Sequence, residues 1–229
     1  MIPEHLADPL RWRKPRRIFV NSMSDLFHES LSNEQIAQVF GVMAKAYWHT
    51  FQVLTKRPER AVEWFEWAAG GRHVWPAAQL HPWPDWALRE VNRGAGDVGW
   101  PLRHVWIGAS VENQATADER IPHLLRVPAA VRFLSCEPLL SAVDLLTPTF
   151  NGADSFSAMA DIHWVIAGTE SGPRRRPADM AWLRDLRDQC VGARTPFFLK
   201  QMEVDGRVAH APELDGRQWS EFPAVTRDE

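Results

Sequence analysis

Short apolar runs alternating with amphipathic stretches set the rhythm of this chain. Residues 17–21 (RIFVN) form an apolar run with polar bounds and predict a strand. Residues 22–28 read as a loop. Ser32 then caps a predicted helix over 33–46, with Ile36, Val39, Phe40 and Met43 on one face. Residues 49–54, rich in β-branched and aromatic side chains, predict a second strand. Thr55, Lys56 and Arg57 close it, and Pro58 opens a helix over 58–69.

The regular pattern lapses over 70–101, where Gly70, Gly71, Pro76, Pro82, Pro84, Gly94, Gly96, Gly99 and Pro101 interrupt it. A short helix is predicted near 85–91. The segment reads as an insertion, since it lacks the length for a core of its own. Beyond it, 104–109 predicts a third strand, 114–125 a helix and 131–135 a fourth strand. Residues 151–160 are small and polar, as in a loop. The run from Ile162 (IHWVIAG) is a fifth strand, 178–190 an amphipathic helix with Met180, Leu183 and Leu186 inward, and 196–199 (PFFL) a sixth strand. Asp205-Gly206 and Asp215-Gly216 are turn signals for a hairpin in the 202–229 tail, docked by Trp219 and Phe222.

Six short strands separated mostly by helices imply parallel βα units in a single domain over 1–229, either a barrel or an open doubly wound sheet. No GxGxxG or P-loop glycine pattern follows any strand, which favours a partial (β/α) barrel. In that architecture the strand ends carry the chemistry. Here they present Asn21, Ser22 and Asp25; Lys56 and Arg57; Ser110 and Glu112; Ser135 and Glu137; Glu170 and Ser171; Lys200 and Gln201. Glu112, Glu137 and Glu170 are oxygen donors suited to a divalent metal or to acid–base work. Lys56 and Lys200 suit a carboxylate, a phosphate or a Schiff base. The bland alternative is a set of salt bridges around the mouth. His49, His104 and His163 stand at strand starts, where stability is the expected role, and none of the nine histidines has a paired metal-ligand spacing.

Composition narrows the function classes. The chain has 229 residues, 45% hydrophobic and 24% charged, with a formal net charge of −3. That balance argues against bulk electrostatic grip on nucleic acid, although Arg11, Arg13, Lys14, Arg16 and Arg17 make the lead-in locally basic; solvated charges are the first expectation for them and a nucleic-acid arm the sharper, second one. No apolar run is long enough to span a bilayer, and the N-terminus lacks a signal-peptide core, so a cytoplasmic location without membrane is expected. Cys136 and Cys190 are expected as buried free thiols. Of the 12 tryptophans, several fall between Trp64 and Trp106, and burial is the first expectation for them.

Several phrases carry a family resemblance: PLRWRKPRRIFVNSMSDLFHE (9–29), FQVLTKRPER (51–60), HVWIGASVENQ (104–114), RFLSCEPLL (132–140), WVIAGTESGPRRRP (164–177), PFFLKQ (196–201) and LDGRQW (214–219). They are similar to the three-cysteine-motif phage proteins, a radical-SAM-like family. The resemblance implies a partial barrel of the radical-SAM type, with S-adenosylmethionine as cofactor and Ser22, Asp25, Gly168, Glu170 and Ser171 near it. It leaves Lys56, Glu112, Glu137 and Lys200 as catalytic candidates. Members of that family carry three closely spaced cysteines upstream of PLRWRKPRR, which hold a [4Fe–4S] cluster. This sequence starts after that point, and neither Cys136 nor Cys190 supplies the motif. The expectation is a radical-SAM-like protein of unknown substrate, catalytically incomplete as given. A non-catalytic barrel binding a ligand or macromolecule is the alternative, and a metal-dependent lyase or hydrolase using the glutamates is a third. A missing first strand would bare a sheet edge, for which a homodimer or an N-terminal cover is expected.

Overall fold

The structure is a computed structural model that describes residues 5–21, 23–70, 101–146 and 158–224. The predicted helix over 85–91, most of the insertion and most of the 151–160 loop lie outside the described residues. Seven strands are hydrogen-bonded in the order β1-β2-β3-β4-β5-β6-β7. They are β1 (Arg17–Val20), β2 (Thr50–Thr55), β3 (Val105–Ser110), β4 (Val131–Cys136), β5 (Trp164–Gly168), β6 (Phe197–Val204) and β7 (Arg207–His210). Pairs β1–β2, β4–β5 and β5–β6 are parallel, and β6–β7 is antiparallel. The order follows the chain with no reversal. A doubly wound sheet has such a reversal and a singly wound one does not, so this mixed α/β fold has the strand order of a partial (β/α) barrel.

Four helices are described: α1 (Asn33–Lys45), α2 (Pro58–Gly70), α3 (Gln114–Arg126) and α4 (Met180–Ala193). Ser32 caps α1 as its sequence predicts. Its hydroxyl accepts from Gln35 N, while Gln35 Oε1 accepts from Ser32 N, a reciprocal arrangement that satisfies two backbone donors. Helix α4 starts two residues later than the apolar pattern suggests. The reason is Asp179, whose carboxylate accepts from Ala181 N at 2.8 Å and fixes the first turn.

The chain divides into two compact units: Met1–Ile107 with Val127–Ala130, and Gly108–Arg126 with Val131–Glu229. The first unit holds an aromatic core. Phe40 and Trp64 stack at 4.4 Å between ring centres, and Phe27 packs on both. Phe27 and its neighbour Leu26 belong to the loop after β1, yet both are fully buried. Strand β1, last in the order on its side, carries Phe19 at 43% exposure. Beside it lies a cavity of about 530 Å³, lined among others by Ile18, Val20, Val39, Met43 and Phe51.

The second unit has a fully buried strand in β5, while β6 and β7 carry exposed residues. All five residues of β5 are buried, as a parallel strand covered on both faces requires. Gly108 of β3 is required by packing. A Cβ there would lie 2.5–2.6 Å from three ring atoms of Phe133 on β4. Strand β6 runs longer than predicted, because β7 returns antiparallel and extends the ladder as far as Val204. Lys200 and Gln201 therefore sit inside a strand rather than beyond its end. Both turn signals mark hairpins: Asp205 and Gly206 at φ 48° and 76° join β6 to β7, and Asp215 and Gly216 at 55° and 76° join β8 (Glu213–Leu214) to β9 (Arg217–Gln218). The tail docks through Trp219 O, which accepts from Leu199 N, and through Phe222, whose ring lies 5.0 Å from that of Trp164.

Gly108→Ala should destabilise the protein by about 1–3 kcal/mol, the usual cost of overpacking a filled core. Thermal unfolding would read this as a clear drop in Tm. A second change, Phe133→Leu, should restore part of it.

Candidate functional site

The predicted site residues fall into two neighbourhoods, one in each unit. In the first, Asp25 is the hub. Its Oδ1 accepts from Phe27 N at 2.9 Å and from the Thr55 hydroxyl at 2.8 Å. Its Oδ2 accepts from Lys56 N at 2.9 Å and from Arg57 Nη1 at 3.1 Å. Four donors engage one carboxylate, so Asp25 latches the loop after β1 to the end of β2. The Lys56 side chain is exposed there. Ser22 lies outside the described residues.

The second neighbourhood lies at the ends of β3 to β6. Each of the three glutamates holds a different cation. Glu112 Oε2 lies 2.9 Å from Arg120 Nη1, with both side chains largely buried, and the same nitrogen donates to Ser110 O. Glu137 Oε2 accepts from Lys200 Nζ at 2.9 Å. Glu170 accepts from Arg176 three times, at 2.7–2.8 Å, through the backbone N, Nε and Nη2. The three carboxylates are thus spread over three ion pairs. Among the described residues no group of three or more His, Cys, Asp or Glu side chains comes together to hold a metal.

The Glu137–Lys200 pair has a structural precondition. It joins β4 to β6 and so passes over β5, which lies between them in the sheet. At that point β5 ends in Gly168. A Cβ there would lie 3.3 Å from Glu137 Cγ and from both Cγ and O of Gln201. The missing side chain leaves room for the bridge. The surrounding backbone is tied down as well. Leu139 N donates to Gly168 O at 2.9 Å, Leu140 N to Glu112 O at 2.8 Å, and Thr169 N to Gln201 O at 3.1 Å. Gln201 Nε2 in turn donates to Thr169 O at 2.9 Å.

Two groups here are absent from the predicted set. Arg120 sits on α3, eight residues beyond the glutamate it neutralises, and no local spacing links the two. Its Nε is buried without a hydrogen-bond partner. The Thr169 hydroxyl is also buried and unpartnered, and only its place after Gly168 marks it in the sequence. Ser171 is exposed on the loop that Glu170 and Arg176 hold.

Electrostatics separate these groups further. Hydrogen bonds from Arg176 hold the Glu170 carboxyl down to about 2. Burial, with a smaller push from the charge of Glu112, raises the Cys136 thiol to about 12. Burial raises Cys190 as well. Both cysteines are therefore buried, protonated thiols at neutral pH. The strand-start histidines serve the backbone. His49 bridges Pro9 O and Arg16 N, His104 Nε2 pairs with Met43 O at 2.8 Å, and His163 Nδ1 accepts from Arg132 N at 3.1 Å.

A family model described as "Protein of unknown function (DUF5131)" matches residues 1–223. No curated protein and no solved structure gives a significant match. No helix among the described residues is long and apolar enough to cross a membrane.

Two measurements test this electrostatic picture. A carboxylate with a depressed pKa stabilises the fold above its unfolded value and loses that contribution as pH falls through the folded one. The loop pairing of Glu170 should therefore persist below its ordinary 4.5 and fail near pH 2. An NMR titration of the Glu170 side chain reads this midpoint, and Arg176→Ala should return it to the ordinary range. A thiol reagent at pH 8 should label neither cysteine in the native protein and both after unfolding.

Proposed function

We propose that this chain, which belongs to the DUF5131 family, is a ligand-binding core of the radical-SAM type whose second unit takes the amino-acid end of S-adenosylmethionine or a similar zwitterion. The observation that carries the reading is the Glu137–Lys200 pair over Gly168. Its two charges lie 2.9 Å apart, and Lys200 is about half exposed. An α-amino acid presents an ammonium and a carboxylate at comparable separation. Each can replace one half of the pair, the ammonium against Glu137 and the carboxylate against Lys200. Exchange of one charge-assisted pair for two leaves no ion unpaired, which is the condition for burying charge at modest cost.

Glu170 is a positioning residue in this reading. Its carboxylate is committed to Arg176, and it shapes the loop that carries Ser171. Gly168 serves by leaving space, and Gln201 by fixing the end of β5. Asp25 and Lys56 belong to the other unit, where Asp25 acts as a latch.

The iron–sulfur half of the resemblance fits these residues poorly. Cluster ligation draws on three or four cysteines brought together, while Cys136 and Cys190 are two buried free thiols. No reaction step is derived through a cluster. The proposed activity is binding, and the radical chemistry of the family resemblance is catalytically incomplete in these residues.

Calorimetric titration of the full chain with S-adenosylmethionine, methionine and adenosine tests the reading. Methionine and S-adenosylmethionine should both bind, and adenosine should bind more weakly. Lys200→Met and Glu137→Gln should each weaken binding by about tenfold or more, the effect of losing one charged hydrogen bond. Absence of heat with folded protein overturns the proposal, as does binding that neither substitution changes.

A further inference from the structure

The lead-in to β1 places five cations, Arg11, Arg13, Lys14, Arg16 and Arg17, within seven residues, and all five are exposed. Asp8 lies 3.6 Å from Arg11, and Arg13 and Lys14 have no ion pair among the described residues. We propose that this strip is a binding surface for single-stranded nucleic acid, carried by the first unit and separate from the Glu137–Lys200 site.

Three features support the assignment. The first is fixation. The lead-in is held on the fold at intervals, with Pro9 O paired to His49 Nε2 at 2.9 Å, Trp12 O accepting from Trp48 Nε1 at 2.8 Å, and Arg16 N donating to His49 Nδ1 at 3.1 Å. Arg16 O accepts from Thr50 N at 2.9 Å, which continues the lead-in into the sheet. Arg13 and Lys14 project from a backbone anchored on both sides, so little ordering remains for a ligand to impose.

The second feature is spacing. Six residue steps cover at most roughly 20 Å, so the five charges stand at most about 5 Å apart on average. In a duplex each strand carries about one phosphate per 3.4 Å of helix axis, and an unpaired strand carries the same dense row of charge. The strip's charges stand at a comparable density, which a sparse lysine patch would not reach.

The third feature is aromatic. The Arg16 guanidinium lies 4.7 Å from the centre of the Trp12 ring. Trp12 packs on His49, and Tyr47 packs edge-on against Trp48 while remaining 71% exposed. A cationic track beside an exposed ring is the arrangement by which unpaired bases are held, with phosphates on the charges and a base on the ring.

The test is fluorescence anisotropy of a labelled 20-nucleotide oligo-dT with the full chain, across a salt series. Binding should weaken with salt, and log K against log salt should have a slope of roughly −3, about −0.7 for each phosphate neutralised. Arg13→Gln with Lys14→Gln should make that slope shallower by about 1.4. Tyr47→Ala should lower affinity several-fold and leave the slope unchanged. Both variants alter exposed side chains, and circular dichroism melts confirm that they fold. No anisotropy change at 50 mM salt overturns the proposal, as does an unchanged slope in the double variant. Sedimentation with phosphatidylserine vesicles without oligonucleotide binding also overturns it and assigns the strip to membrane. None of these outcomes bears on zwitterion binding at Lys200, which the calorimetric titration reads by itself.

Discussion

Contact between the Gly108 backbone and the Phe133 ring is the constraint on which the second unit depends. The ring occupies the place where a side chain on β3 would stand, so β3 and β4 can both be buried without a void between them. Parallel strands covered on both faces leave little slack, and interiors at crystalline density transmit any added volume into the backbone. Gly168 repeats the device two strands further on, with a polar outcome. Room made there admits a charged bridge instead of a ring. One unit thus uses two glycines, one to close its core and one to open its mouth.

Charge burial follows from the same geometry. Strand ends that turn inward carry Ser110, Glu112, Ser135 and Thr169, and β6 carries Gln201 within it, all buried. An unpaired carboxylate as buried as Glu112 costs on the order of several kcal/mol, so that glutamate must find a cation, and Glu137 and Glu170, nearer solvent, are paired as well. Glu112 finds Arg120 from the helix that follows its own strand. Glu137 finds Lys200 from two strands away, and Glu170 finds Arg176 six residues on. The pairs differ in what they leave available. The Glu112 pair is enclosed and the Glu170 pair is locked by three bonds, while the Glu137 pair has a single contact and an exposed lysine. That difference singles out Glu137 and Lys200 from a ring of chemically similar groups.

Much of the fold was legible in the pattern of apolar residues. Strands β1 to β5, helices α1 to α3 and the Ser32 cap all follow from short apolar runs, helical spacing and one capping serine. Asp205-Gly206 and Asp215-Gly216 announced their turns because left-handed backbone favours those residues. The length of β6 was hidden, since its second half is a strand through its pairing with β7. Leu26 and Phe27 stand in a loop and are fully buried, because a loop's burial depends on what lies beneath it, here Phe40 and Trp64 against Phe27.

The sequence by itself determined the order of strands and helices, the polar character of the strand ends, and the identity of the residues there. Those are properties of short windows, in which neighbours along the chain act on one another. Tertiary structure alone decided the partners: Arg120 for Glu112, Lys200 for Glu137, and His49 for both Pro9 and Arg16. Each of these contacts joins segments whose separation in the chain carries no period or spacing. Only the packing of β4, β5 and β6 brings residues 137, 168 and 200 together, and there a glycine's missing side chain has meaning.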